Sequence, residues 1–212
     1  MSTATIRETF ASGETTTQTP GLRPYRITID VYQRIVASGV FGDKSSIFLW
    51  KGQLVEKIPA MTKGRPHVYA VNRLDQLPGR LVPEDWFVEQ DQPLAMDDDS
   101  MPEPDLKVVR GAVADYQDRT PTAQDVPLVV EVSDSSLGDD KRRMLRAYAS
   151  AVIPVYWIVN LPCRQIEVFT RPSGPTSAPS YADHHVYGPK DEVPVLLDGG
   201  EVGQVAAKDI LI

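Results

Sequence analysis

The sequence predicts a mixed α/β fold, one central mixed β-sheet flanked by helices. Three observations carry that reading: the near-continuous apolar run Leu128-Val129-Val130-Glu131-Val132-Ser133, a helix-forming segment directly after it, and strand-like runs on both sides of the pair. A half-exposed strand would alternate polar and apolar side chains, so a run apolar at nearly every position belongs to a central strand covered on both faces. With 212 residues, the chain is long enough for one sizeable domain and too short for two. Interleaved strands and helices in a chain of that length point to one sheet with helices packed on it.

The elements follow in order. Residues 1–22 are rich in Ser, Thr and Gly without periodicity and read as a disordered leader. A helix follows, with Thr28 as N-cap, Val31, Ile35 and Val36 on one face, and Gly39 as the stop. The β-rich runs 46–50 and 53–58 flank Lys51-Gly52 and read as a hairpin. Beyond Pro66, the apolar positions Val68, Val71, Leu74 and Leu77 have helical spacing, and Pro78-Gly79 closes that helix. Strands are expected at 86–90 and 92–96, a solvated turn over 97–104, and a further strand from Leu106. The polar stretch 112–125 reads as a connection. After the central strand, Asp139 and Asp140 start a helix whose dipole favours negative charge at that end. Two strands then flank Leu161-Pro162-Cys163, followed by a polar loop that holds His184-His185 and by edge strands near Val193–Leu197. The domain proper is expected over 23–172, with 173–212 as a loop and edge-strand extension.

Composition removes several function classes. A formal net charge of −7 does not suit a general phosphate-backbone binder, which concentrates Lys and Arg. It does not exclude a nuclease, whose carboxylates can hold a metal ion that supplies positive charge locally. One cysteine, Cys163, rules out an intramolecular disulfide and a multi-cysteine zinc site. Without a signal-peptide pattern or a bilayer-length apolar run, a cytoplasmic location and no membrane partner are expected. Phosphate-cradling, dinucleotide-binding and nucleophile-elbow motifs are missing, so nucleotide hydrolases, dinucleotide oxidoreductases and serine hydrolases have little support.

Two carboxylates stand out. Glu131 lies inside the most apolar strand, where an unpaired charge costs several kcal/mol and demands a cation, a metal or hydrogen bonds. Its ordinary alternative is a side chain that alternates out to solvent or pairs with an arginine. Asp105, in Pro104-Asp105-Leu106, opens another strand, although a Pro-Asp pair by itself usually marks a turn. Brought together, the two offer the hard oxygen ligands that Mg²⁺ or Mn²⁺ prefers.

Pro102-Glu103-Pro104-Asp105-Leu106, then Val129-Val130-Glu131-Val132-Ser133-Asp134-Ser135-Ser136-Leu137, then Tyr148-Ala149 and Ile153-Pro154-Val155-Tyr156-Trp157-Ile158-Val159-Asn160 occur in that order. This series resembles the bacterial Uma-two family of the restriction-endonuclease-like PD-(D/E)XK superfamily, over about Tyr25 to Phe169. The resemblance implies a restriction-endonuclease-like core and a metal-dependent DNA endonuclease. Asp105 and Glu131 would be catalytic metal ligands for Mg²⁺ or Mn²⁺, the Val132 carbonyl a third ligand, DNA the substrate and a homodimer the partner arrangement. His67 matches a histidine common in the family and is expected to touch substrate.

The same comparison marks a partly degenerate site. The superfamily lysine two residues after the acidic residue is replaced by Ser133, and the position on the next helix where this family carries its lysine holds Met144. A thioether cannot stabilise negative charge as an ammonium does. Lys141, three residues earlier and so on a similar helical face, is the expected catalytic substitute, with Arg143 next; a solvated helix face is the plain alternative. Phe48 and Val155 also stand where the family favours Glu. Two other readings therefore stay open: a catalytically inactive nuclease-fold module that binds nucleic acid or protein, and a structural ion-pair network between the carboxylates and the arginines of the 141–146 helix.

Overall fold

The computed structural model describes residues 7–9, 15–17, 21–42, 47–56, 64–76, 82–134 and 136–211. Most of the expected leader lies outside these residues. Of it, β1 (Arg7–Thr9) pairs antiparallel with β2 (Thr15–Thr17).

Helix α1 (Ile29–Ala37) starts on Thr28, whose side chain accepts the Val31 amide, and stops at Gly39 with φ of 71°. Of the expected face, Val31 and Ile35 are half-buried, but its centre lies elsewhere. Tyr32 is the anchor, packed with Leu49 and Met101, whereas Val36 is exposed. The aromatic ring wins because its hydroxyl also reaches the Ile47 carbonyl, 2.8 Å away. The expected hairpin is β3 (Ile47–Trp50) and β4 (Gln53–Glu56), paired Trp50↔Gln53. Lys51 and Gly52 both have positive φ, 48° and 75°, which is the tight two-residue turn whose twist matches the strands it joins. Helix α2 (Arg65–Asp75) buries His67, Ala70, Val71 and Leu74, while Val68 faces out; Leu77 lies outside the described residues.

The main sheet has six strands in the order β10-β9-β8-β7-β6-β5. They are β5 (Trp86–Gln90), β6 (Leu106–Arg110), β7 (Leu128–Ser133), β8 (Val155–Asn160), β9 (Gln165–Pro172) and β10 (Tyr181–Tyr187). Only β7 and β8 are parallel; the other neighbours are antiparallel, so the sheet is mixed. A parallel pair needs a crossover, and helix α3 provides it over residues 137–150. Residues 92–96 do not form the expected strand: Ala95 makes one bridge to Thr122, and Leu94 is buried under the sheet. The expected solvated turn ends at Asp99, because Ser100 and Met101 are buried.

Two cores form, one on each face. On one, Leu106, Val108, Leu128, Val130, Val132, Trp157 and Val159 meet Ala70, Val71 and Leu74 of α2. On the other, Val109, Val129, Tyr156, Ile158 and Phe169 meet Leu94 and Tyr148. Cover on both faces is what makes β7 and β8 apolar at almost every position, each buried side chain contributing about 1.5–3 kcal/mol. Beyond β10, β11 (Glu192–Leu197) and β12 (Gly200–Ala206) pair with each other as a separate sheet and do not add edge strands to the main one. Val193, Val195, Leu197 and Val205 pack into the α2-side core. The sheet's edge is instead β10, hidden in sequence by its polar Asp-His-His content.

Helix α3 contains an irregularity. Leu137–Asp139 and Leu145–Ser150 are α-helical, but Asp140–Met144 forms a π turn in which the Leu145 amide bonds the Asp140 carbonyl. The helix then ends in a Schellman arrangement, with Val152 N–H on Ala149 O (3.3 Å) and Ile153 N–H on Tyr148 O (3.0 Å). That geometry puts Val152 at φ 62°, a left-handed conformation costly for a β-branched residue. Val152 is half exposed. Val152→Gly is therefore expected to stabilise the fold by about 1 kcal/mol, seen as a rise of roughly 2–4 °C in Tm. A fall in Tm would show that the valine's packing outweighs its strain.

Candidate active site

Register builds the site. Leu106 pairs with Val130 in the antiparallel β6–β7 ladder, so one residue further on Asp105 stands opposite Glu131. The Asp105 amide lies 3.4 Å from Glu131 Oε2. Asp105 Oδ2 accepts the Val132 amide at 2.8 Å. In a β-strand the N–H and C=O of one residue project to the same side, so the Val132 carbonyl also faces the β6 side. His67, at the start of α2, is buried and sets Nε2 3.2 Å from Asp105 Oδ2. Its Nδ1 is buried with no hydrogen-bond partner among the described residues. If Nε2 carries the proton, it donates to the carboxylate and fixes its rotamer.

Glu131 is 9% exposed and points to the α3 face of the sheet. The fully buried Tyr148 hydroxyl donates to Glu131 Oε1 at 2.7 Å. Tyr148 and Tyr156 are both pushed well above ordinary tyrosine, first by burial and then by the negative charge of Glu131, with Asp140 adding to it. The region is thus strongly negative, with two carboxylates on adjacent strands and a third on the helix above.

That third group, Asp140, was not anticipated as a buried residue. Its Oδ2 accepts the hydroxyls of Ser133 (2.6 Å) and Ser136 (2.7 Å). So Ser133, at the superfamily's lysine position, is a fully buried donor to a carboxylate. Burial raises the Asp140 pKa, the two serine hydrogen bonds oppose that, and the charges of Asp105 and Asp139 raise it further. A carboxyl whose folded pKa is raised adds stability at pH below the unfolded value and loses it as pH climbs through the folded value. Asp140→Asn, which keeps an acceptor for the serines, is expected to raise Tm by a few degrees at pH 7 and by nothing near pH 3. A Tm difference that does not change with pH would refute this.

The lysine substitute is placed as follows. Lys141 Nζ lies 2.6 Å from Oε1 of Glu167 on β9. Met144 packs against the core cluster around Tyr148 and Tyr156. The expected shared face of Lys141 and Met144 assumed α-helical spacing, and the π turn between them breaks it. Arg143 pairs with Asp139 and lies over the Trp50 ring, 5.5 Å from its centre. Phe48 is buried edge-on to Trp50, at 6.4 Å. Val155 opens β8 opposite Leu128, three residues and about 10 Å from the Glu131 end of that ladder, and packs in the α2-side core. Of the departures noted in sequence, this one lies away from the carboxylates.

Two buried charges went unnoticed in the sequence. Glu167, in Ile166-Glu167-Val168-Phe169, gives the same signal as Glu131: a carboxylate in an apolar strand. Lys107 is 0% exposed and pairs across the β5–β6 ladder with Glu89 at 2.7 Å, also donating to Gln92 O at 2.9 Å. Burial lowers its pKa, and the Glu89 carboxylate resists that. His184 lies on β10 and not in a loop; it stacks on Phe169 at 4.3 Å and reaches Glu167 Oε2 at 3.1 Å.

The donor set suits a hard divalent cation. Asp105 and Glu131 offer carboxylate oxygens from facing positions on adjacent strands, and Mg²⁺ commonly takes one or two such ligands while keeping waters and substrate phosphates. Among the described residues, no group of three or more His, Cys, Asp and Glu side chains is spaced to cage a metal. None of the helices among the described residues is long and apolar enough to cross a membrane.

A family model described as "Uma2: Putative restriction endonuclease" matches residues 29–199. The fold is similar to a crystal structure titled as "a putative nuclease belonging to DUF820 from Anabaena variabilis ATCC 29413", with a TM-score of 0.59 and 15% identity. That match covers 87% of this chain and 97% of the other. No curated protein matches at a significant level.

Proposed function

The chain belongs to the Uma2 family, described as "Putative restriction endonuclease", and from that premise we propose that it hydrolyses phosphodiester bonds in DNA as a metal-dependent endonuclease. The observation that carries the reading is the meeting of Asp105 and Glu131 across β6 and β7, with the Val132 amide on Asp105. Asp105, Glu131 and the Val132 carbonyl would hold Mg²⁺ or Mn²⁺. When bound, the ion supplies Lewis-acid stabilisation of phosphodiester charge and makes a water more acidic. Tyr148 and His67 orient the two carboxylates, so His67 serves the site through Asp105. Lys141 stabilises negative charge in the transition state, in place of the lysine that Met144 lacks.

Met144 packed against the core and Phe48 against Trp50 favour a second reading, a nuclease-fold protein that binds DNA or a protein without turnover. The two separate in one experiment: supercoiled plasmid incubated with Mg²⁺ or Mn²⁺, alongside calorimetric titration of Mn²⁺. Nicking that requires the ion supports the endonuclease. Mn²⁺ binding without nicking supports the inactive module, and neither binding nor nicking sinks the metal site.

A further inference from the structure

Glu131 and Glu167 share a row of the sheet. Glu131 pairs with Ile158, and Ile158 pairs with Glu167. Both carboxylates therefore project to the α3 face, with Cα atoms two strand spacings, about 10 Å, apart. The helix contacts both: Tyr148 at Glu131, and Lys141 at Glu167.

Glu167 is 1% exposed and fully built in. Oε1 takes Lys141 Nζ at 2.6 Å, Asn160 Nδ2 at 2.9 Å and Gln165 Nε2 at 3.1 Å, while Oε2 faces His184 Nε2 at 3.1 Å. Asn160 is itself buried and held by the Cys163 amide on its Oδ1, at 3.1 Å. Asn160, Gln165 and His184 would satisfy a neutral glutamine equally well. A charge at this depth is costly, and Lys141 is the partner that answers it. Burial alone would raise the Glu167 pKa, but hydrogen bonds from Lys141, Asn160 and Gln165 bring it below the ordinary carboxylate value. The anchor therefore stays charged at neutral pH.

We propose that Glu167 is the positioning residue for Lys141, fixing its ammonium on the Glu131 face of the sheet. This rests on the endonuclease reading above. It explains how a lysine from a position before Met144 can serve the site: the reach is set by a buried carboxylate on β9 and not by the helix alone. Lys141 has a partly exposed stem, so without the anchor its charge would sample solvent.

The test is plasmid nicking by the full chain and Glu167→Gln, with Lys141→Met and the double variant beside them. Glu167→Gln is expected to lower kcat about 10- to 100-fold, with KM and Mn²⁺ affinity unchanged. The double variant should be no worse than Lys141→Met, because the pair acts as one unit. The ¹⁵N signal of an ordered Lys141 ammonium, seen in the wild type, should vanish in Glu167→Gln. Should Glu167→Gln not fold, Glu167→Asp, one methylene short of the lysine, is expected to show the same fall in kcat. Wild-type or faster nicking in the folded variant overturns the positioning role alone. A wild type that nicks nothing overturns the endonuclease reading and, with it, the catalytic purpose of the pair.

Discussion

Glu131→Gln is expected to reduce ion-dependent nicking by about a thousandfold or more and to abolish the Mn²⁺ titration signal. On the endonuclease reading the site loses one of two carboxylate ligands, and several kcal/mol of transition-state charge stabilisation goes with it, each 1.36 kcal/mol being tenfold in rate. Glutamine is the informative substitution because the fold uses the same side chain. Tyr148 is fully buried and donates to Glu131 Oε1, and an amide oxygen can still accept that bond. Glu131→Ala would leave the phenol unsatisfied, adding a stability loss of about 1–3 kcal/mol that clouds the activity loss. Asp105→Asn should behave like Glu131→Gln, since its amide can still take the Val132 N–H. Measuring Tm with nicking separates the readings. A structural ion-pair network predicts large destabilisation and no Mn²⁺ binding in the wild type. Nicking that persists in both neutral variants would remove the assignment of these carboxylates.

Lys141→Met is the second large effect, a loss of about 100- to 1,000-fold in kcat, the scale of removing one charge-stabilising donor. Stability should change little for a side chain more than a third exposed, apart from the cost of leaving Glu167 without its cation. The companion variant, Lys141→Met with Met144→Lys, returns the lysine to the family's usual position. Met144 is only partly buried, so a lysine stem can follow the thioether's path and set its ammonium at the rim. Recovery of at least tenfold over Lys141→Met is expected. Full activity in Lys141→Met would assign the charge-stabilising role elsewhere, with Arg143 the next candidate on the helix.

The parts of this molecule that read plainly from sequence are those governed by local pattern. Glu131 was visible because an apolar strand has no ordinary place for a carboxylate, and the Lys51-Gly52 turn because its glycine tolerates positive φ between two β-rich runs. Tertiary partners hid the rest. Glu167 gives the same strand signal as Glu131, but its cation lies 26 residues back on a helix, beyond any local window. Asp140 looked like a helix-start charge, and only the fold brings Ser133 beneath it. Strand β10 is polar because it is an edge, so periodicity could not find it. Tyr32 displaced Val36 from the buried face of α1 through a hydroxyl contact that spacing does not encode.

The π turn at Asp140–Met144 also bears on how such sites drift over time. That turn holds one residue more than an ordinary helical turn. Deleting a single residue there would rotate everything before it by about 100° relative to Tyr148, which stays on Glu131. Lys141 would swing off Glu167 with its identity unchanged. Insertions and deletions in this turn can thus move a lysine into or out of service as effectively as substitution does. Chains of different length here should carry their working lysine at different alignment columns, and a comparison made column by column would count some of them as having lost it.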